Sequence, residues 1–99
     1  MAKRKTFGRV LRELRRTTGM GIKSLAPELG VSYSYVSKIE NDVTAPSETF
    51  VNKTADYFET DPSVLLIAAG KVPPDIMRIL QTYPDQAIAI LREHFGRDK

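Results

Sequence analysis

The run LGVSYSYVSKIEN, residues 29–41, concentrates side chains that hydrogen-bond while carrying little charge. Tyr33, Ser34, Ser37 and Asn41 can each donate and accept, and Lys38 adds a single cation. Such a set can hydrogen-bond to a partner or simply to water. It does not suit catalysis. No nucleophile, carboxylate pair or phosphate loop has the spacing an enzyme needs, so none is expected. The chain has no cysteine and one histidine, His94, too little for a metal or catalytic cluster, and no metal or cofactor is expected.

Those polar residues have value only if an element holds them on one side. At about 100° per residue, with Tyr33 at zero, Ser37 falls near 40°, Asn41 near 80°, Ser34 near 100° and Lys38 near 140°. Tyr35, Val36 and Ile39 occupy the roughly opposite arc, about 200° to 300°. Residues 33–41 therefore read as a helix with an apolar side to bury and a hydroxyl-rich side to present. Taken alone, that second side is equally well an ordinary solvated face.

Helical punctuation continues along the chain. Phe7, Val10, Leu11 and Leu14 form one stripe, with Thr6 placed to cap it and Gly19 to end it. A second segment, about 22–29, points Leu25, Ala26 and Leu29 inward; Pro27 removes a backbone donor, so this helix should be short, kinked or tightened. Gly30 supplies a left-handed stop and Ser32 the next cap. Pro46 and Ser47 open a fourth helix with Phe50, Val51, Thr54, Ala55 and Phe58 on one side, and Asp61 with Pro62 opens a fifth that ends at Gly70. After a break at 71–74, two further helical stretches follow, Asp75 to about Tyr83 and Asp85 to Phe95.

The chain has 99 residues, 41% hydrophobic and 27% charged, which suits a modest core. Its net charge of +3 is unevenly spread: residues 1–23 carry eight basic side chains against Glu13 alone, a net +7, and the other 76 carry seven basic against eleven acidic, a net −4. A basic end of this kind attracts polyanions, although a solvated helix face is the commoner meaning of a charge run. Nothing reads as an export signal or a membrane span, and a cytoplasmic, nucleoid-associated protein is expected.

Small Ala26, the Gly30 bend and the apolar pair Val36 and Ile39 have the logic of two helices joined by a tight turn. Here the chain resembles the lambda-repressor-like (Cro/Xre-type) helix-turn-helix transcriptional regulators. A typical run in that family, GLTQEELAEKLGVSRSYISRIERG, is similar to GMGIKSLAPELGVSYSYVSKIEND, Gly19 to Asp42. The likeness covers roughly residues 6–69. It implies an all-α fold, a five-helix DNA-binding domain over residues 1–70, followed by a two-helix C-terminal extension over 71–99.

The resemblance further implies that the third helix enters the major groove of double-stranded DNA. Tyr33, Ser34, Ser37 and Lys38 become the expected base contacts, and Ser32, Tyr35 and Asn41 the expected contacts to the backbone. Tyr35 has a rival role as a half-buried packing residue. Arg9 and Lys23 would add backbone contacts, and the basic arm and first helix, Lys3 to Arg16, a general attraction to phosphate. Arg15 and Glu40 match a structural pair of the family, with an ordinary surface pair as the alternative. Two positions depart from the family pattern. Gly21 and Ile22 stand where a capping hydroxyl and a phosphate-touching Gln are common, and Ile22 is expected in the core instead; Asp42 stands where Gly is common, adding a negative charge.

Past residue 70 the resemblance ends. Ile76, Ile79, Leu80 and Tyr83 make one apolar stripe, and Ala87, Ile88, Leu91 and Phe95 another, widened by Ile90 and His94. Ile76, Ile79, Leu80, Ile88, Leu91 and Phe95 are the expected homodimer surface, because one recognition helix reads few base pairs and two half-sites need a two-fold partner. The alternative is a tail folded back over its own domain. The function expected is a sequence-specific regulator, a repressor binding an inverted repeat. An antitoxin-type autorepressor, whose extension binds a toxin protein, and an interaction module without DNA binding are the alternatives.

Overall fold

The computed structural model describes residues 5–96. Lys3 and Arg4 of the basic arm lie outside the described residues. All regular structure among the described residues is helical, seven helices in order, α1 (Phe7–Thr17), α2 (Ile22–Glu28), α3 (Tyr33–Glu40), α4 (Glu48–Phe58), α5 (Pro62–Ala68), α6 (Pro74–Thr82) and α7 (Pro84–Phe95). The chain divides into two compact units, Lys5–Lys71 and the residues from Val72 onward.

Local chemistry accounts for the helix ends in the first unit. The hydroxyls of Thr6, Ser32 and Ser47 accept from the backbone N–H of Arg9, Tyr35 and Phe50, and the Asp61 carboxylate accepts from Ser63. Each such cap is worth about 1 kcal/mol. Gly19, Gly30 and Gly70 follow the ends of α1, α2 and α5 in the left-handed region, with φ of 72°, 69° and 78°. Around Pro27, α2 is short and tightened: Leu29 N–H is shared between the Leu25 and Ala26 carbonyls, and Gly30 N–H reaches back only three residues to Pro27.

These ends let five short helices close on one core. It comprises Phe7 and Leu11 of α1, Leu25 and Ala26 of α2 with Leu29, Val36 and Ile39 of α3, Phe50, Val51 and Ala55 of α4, and Leu65 and Leu66 of α5. Burying an aliphatic or aromatic side chain of this size contributes about 1.5–3 kcal/mol, so the core outweighs the caps. Phe50 is a hub, edge-on to Phe7 at 6.0 Å and to Tyr35 at 5.0 Å. Thr54 is buried without a polar deficit, since its hydroxyl donates to the Phe50 carbonyl at 2.9 Å. Within the unit, α3 packs on α1 and α2, and α5 on α1 and α4.

In the second unit α6 packs against α7, yet neither helix has a buried residue. Ile76, Ile79, Ile88, Leu91 and Phe95 are all exposed, Phe95 to 69%. Leu80 and Ala87 are half-buried. No described helix is long and apolar enough to cross a membrane.

Candidate nucleic-acid interface

Helix α3 is split by burial along the line its sequence predicts. Val36 and Ile39 are buried. Ser32, Tyr33, Ser34, Lys38 and Asn41 are exposed and Ser37 is half-buried. Tyr33, 58% exposed, presents a large ring and hydroxyl to solvent at the first turn of the helix, where the capping Ser32 fixes the backbone. Tyr35 is half-buried, its ring on Phe50 and its hydroxyl accepting from Ser47 N–H at 3.4 Å, so it ties α3 to the start of α4. Arg9 on α1 and Lys23 on α2 are exposed. Ile22 packs against the core.

The far end of α3 is held by charge. Glu40 is buried, its side chain 1% exposed, and Arg15 meets it with two bonds, Nε to Oε2 at 2.7 Å and Nη2 to Oε1 at 2.8 Å. Arg15 Nη1 donates to the Met20 carbonyl at 3.0 Å, which spends the last nitrogen of the guanidinium on the α1–α2 turn. The hydrogen bond to Glu40 raises the Arg15 pKa above its ordinary value in spite of partial burial. This geometry differs from an ordinary surface pair: a desolvated carboxylate without its guanidinium would be a buried, unpaired charge.

Arg12, one turn earlier on α1, closes on the same place. Its Nη2 donates to the Glu40 carbonyl at 3.2 Å and to Asn41 Oδ1 at 3.1 Å, and its Nε to Glu40 Oε1 at 3.4 Å. Asn41 Nδ2 in turn donates to the Ser37 carbonyl at 2.9 Å. The backbone N–H groups of Asn41, Asp42 and Val43 bond the Ser37, Ile39 and Lys38 carbonyls, and Arg12 of α1 takes the remaining one, that of Glu40.

Gly8 explains how α1 comes so near. A β-carbon there would lie 2.1 Å from the Ile39 carbonyl oxygen and 2.7 Å from Asp42 Oδ1, closer than any real side chain permits. Asp42 adopts the left-handed conformation, φ 59°, and its Oδ2 accepts from the Thr6 hydroxyl at 3.2 Å. Its negative charge sits at the N-terminal end of α1, where the helix dipole favours it. Gly8, Arg12 and Arg15 recur at one-turn spacing, a strip of α1 fitted to the end of α3. The sequence assigns nothing to Gly8 and counts Arg12 only within the basic first helix; a glycine inside a helical pattern, which marks close approach, and the three-residue spacing of Arg12 and Arg15 are the signals for more.

No group of three or more His, Cys, Asp or Glu suited to a metal occurs among the described residues. His94 lies edge-on to Phe95 with ring centres 6.3 Å apart.

A capped helix with a polar outward side, docked through a tight turn on its predecessor, is one half of the assignment. The other is that a family model described as a helix-turn-helix domain matches residues 6–66. The chain belongs to the helix-turn-helix domain family. Over 56 residues the chain is 45% identical to the HTH-type transcriptional regulator SlrR of Bacillus subtilis (strain 168). That match covers 56% of this chain and 37% of SlrR, so this helix-turn-helix chain corresponds to a minor part of that regulator's length. Two solved structures share its fold. The clp gene regulator ClgR of Corynebacterium glutamicum superposes with a TM-score of 0.58 at 22% identity, covering 93% of each chain. A structure of the SinR protein/SinI protein complex gives 0.58 at 21%, covering 93% of this chain and 97% of that one.

Proposed function

We propose that this helix-turn-helix chain is a sequence-specific, double-stranded-DNA-binding transcriptional regulator, a repressor that reads an inverted repeat as a homodimer. The observation that carries the reading is the outward side of α3, polar and exposed while its other side is locked into the core and its end is clamped by Arg15 and Arg12. Rigid placement matters because base edges are read by hydrogen bonds that tolerate little misplacement.

In this reading Tyr33, Ser34, Ser37 and Lys38 meet base edges; Lys38 donates to guanine O6 or N7 and Tyr33 touches a thymine methyl or an acceptor. Arg9, Lys23, Ser32, Tyr35 and Asn41 meet the sugar-phosphate backbone and set register. Dimerisation falls to α6 and α7, whose exposed Ile76, Ile79, Ile88, Leu91 and Phe95 are more apolar surface than two helices keep in water without a partner. Pairing of this surface with its own copy would give the two-fold arrangement that an inverted repeat requires. Selection of bound sites from random duplexes tests the whole: an enriched inverted repeat supports it, and no enrichment rejects sequence-specific binding.

A further inference from the structure

Arg12 clamps α3 in that scheme but is given no DNA contact of its own, and its bonding is lopsided. Two cations converge on one buried carboxylate. Arg15 alone neutralises Glu40 and fills both its oxygens at 2.7 and 2.8 Å, whereas the Arg12 bond to Oε1 is the longest of the set at 3.4 Å. The cluster therefore keeps one positive charge more than burial of Glu40 requires. That charge is placed outward: the Arg12 side chain is 36% exposed against 13% for Arg15. Its Nη2 and Nε are engaged with Glu40 and Asn41, and Nη1 has no hydrogen-bond partner among the described residues.

The location gives the surplus charge a use. The C-terminal end of a helix carries a partial negative charge, and at α3 Arg15 cancels the Glu40 carboxylate but not that helix end, which disfavours an anion approaching Asn41. Arg12 covers the Glu40 carbonyl and reverses the sign of that end. We propose that Arg12 is the residue through which the end of α3 is anchored to a DNA phosphate, Nη2 holding Glu40 and Asn41 while Nη1 donates to the phosphate. The clamp immobilises the guanidinium before DNA arrives, so little side-chain entropy remains to be lost on binding. The same bonds set Asn41, whose amide is tied to Arg12 on one side and to the Ser37 carbonyl on the other. This assignment rests on the DNA-binding reading above.

The test is the salt dependence of binding by the full chain to a mixed-sequence duplex of about 20 base pairs, room for two half-sites one turn apart. Arg12→Gln removes the charge, and Arg12→Lys retains it without the fork; thermal melting of both variants is recorded alongside. Each phosphate contact contributes about 0.9 to the slope of log affinity against log salt, so Arg12→Gln should lower the slope by about that amount and Arg12→Lys should leave it unchanged. A folded Arg12→Gln with the wild-type slope overturns the assignment of Arg12, as does a slope lost equally in Arg12→Lys. If Arg12→Gln does not fold, Arg12→Met, which removes the charge and keeps the apolar stem, replaces it on the same criterion: a slope lower by about 0.9 supports the assignment and the wild-type slope overturns it. A wild-type chain with no affinity for the duplex overturns the DNA-binding reading itself, and Arg12 with it.

Discussion

Arg15 and Glu40 lie 25 positions apart in sequence and form a two-bond pair whose carboxylate is withdrawn from water, joining the end of the first helix to the end of the third. Because Glu40 is buried, removing Arg15 leaves its carboxylate with only the 3.4 Å bond from Arg12. Arg15→Ala should destabilise the fold by about 3–5 kcal/mol in urea unfolding, and Glu40→Ala by less, since the 13% exposed Arg15 can still reach solvent. The double variant should be well short of the sum. Additivity within about 0.5 kcal/mol would mean that the two side chains act independently.

Gly8→Ala tests the close approach of α1 to α3. In an ordinary helix interior the change from Gly to Ala stabilises by about 1 kcal/mol. Here the new methyl would meet the Ile39 carbonyl, so the sign should reverse, with a loss of about 1–3 kcal/mol and weaker duplex binding as the end of α3 is displaced. A raised melting temperature in Gly8→Ala would contradict the contact.

What could be read in the sequence was local. Thr6, Ser32, Ser47 and Asp61 announce helix starts by their own side chains, and Gly19, Gly30 and Gly70 announce stops, so the seven helices follow to within a residue or two. The division of α3 into two sides follows in the same way from periodicity. The contacts of Gly8 and Arg12 and the Thr6–Asp42 bond each join residues about thirty or more apart; the one-turn spacing of Gly8, Arg12 and Arg15 marks a strip of α1 but not the partner that it meets. Asp42 is instructive: its charge looked unfavourable at a turn near DNA, and only the fold shows it over the first turn of α1. The Arg15–Glu40 match came from the family resemblance, and nothing in the sequence gave its burial.

Truncation after Gly70 tests the role of α6 and α7. The core residues all fall between Phe7 and Leu66, so the shortened chain should remain folded, sediment as a monomer, and bind an inverted repeat more weakly than the full chain. A truncated chain that is still dimeric would move the interface into the first five helices, and one that unfolds would make the tail part of the core.

Base reading by the outward side of α3, as proposed, is tested most directly by comparing the preferences selected from random duplexes by the wild type, Tyr33→Ala, Lys38→Ala, Arg9→Ala and Lys23→Ala. Tyr33→Ala and Lys38→Ala should lose discrimination of about 1–3 kcal/mol at particular base pairs, with the rest of the preferred site unchanged. Arg9→Ala and Lys23→Ala should weaken all sequences alike and leave the preferred site as it was. If the α3 variants select the wild-type site with undiminished preference at every position, α3 does not read the bases.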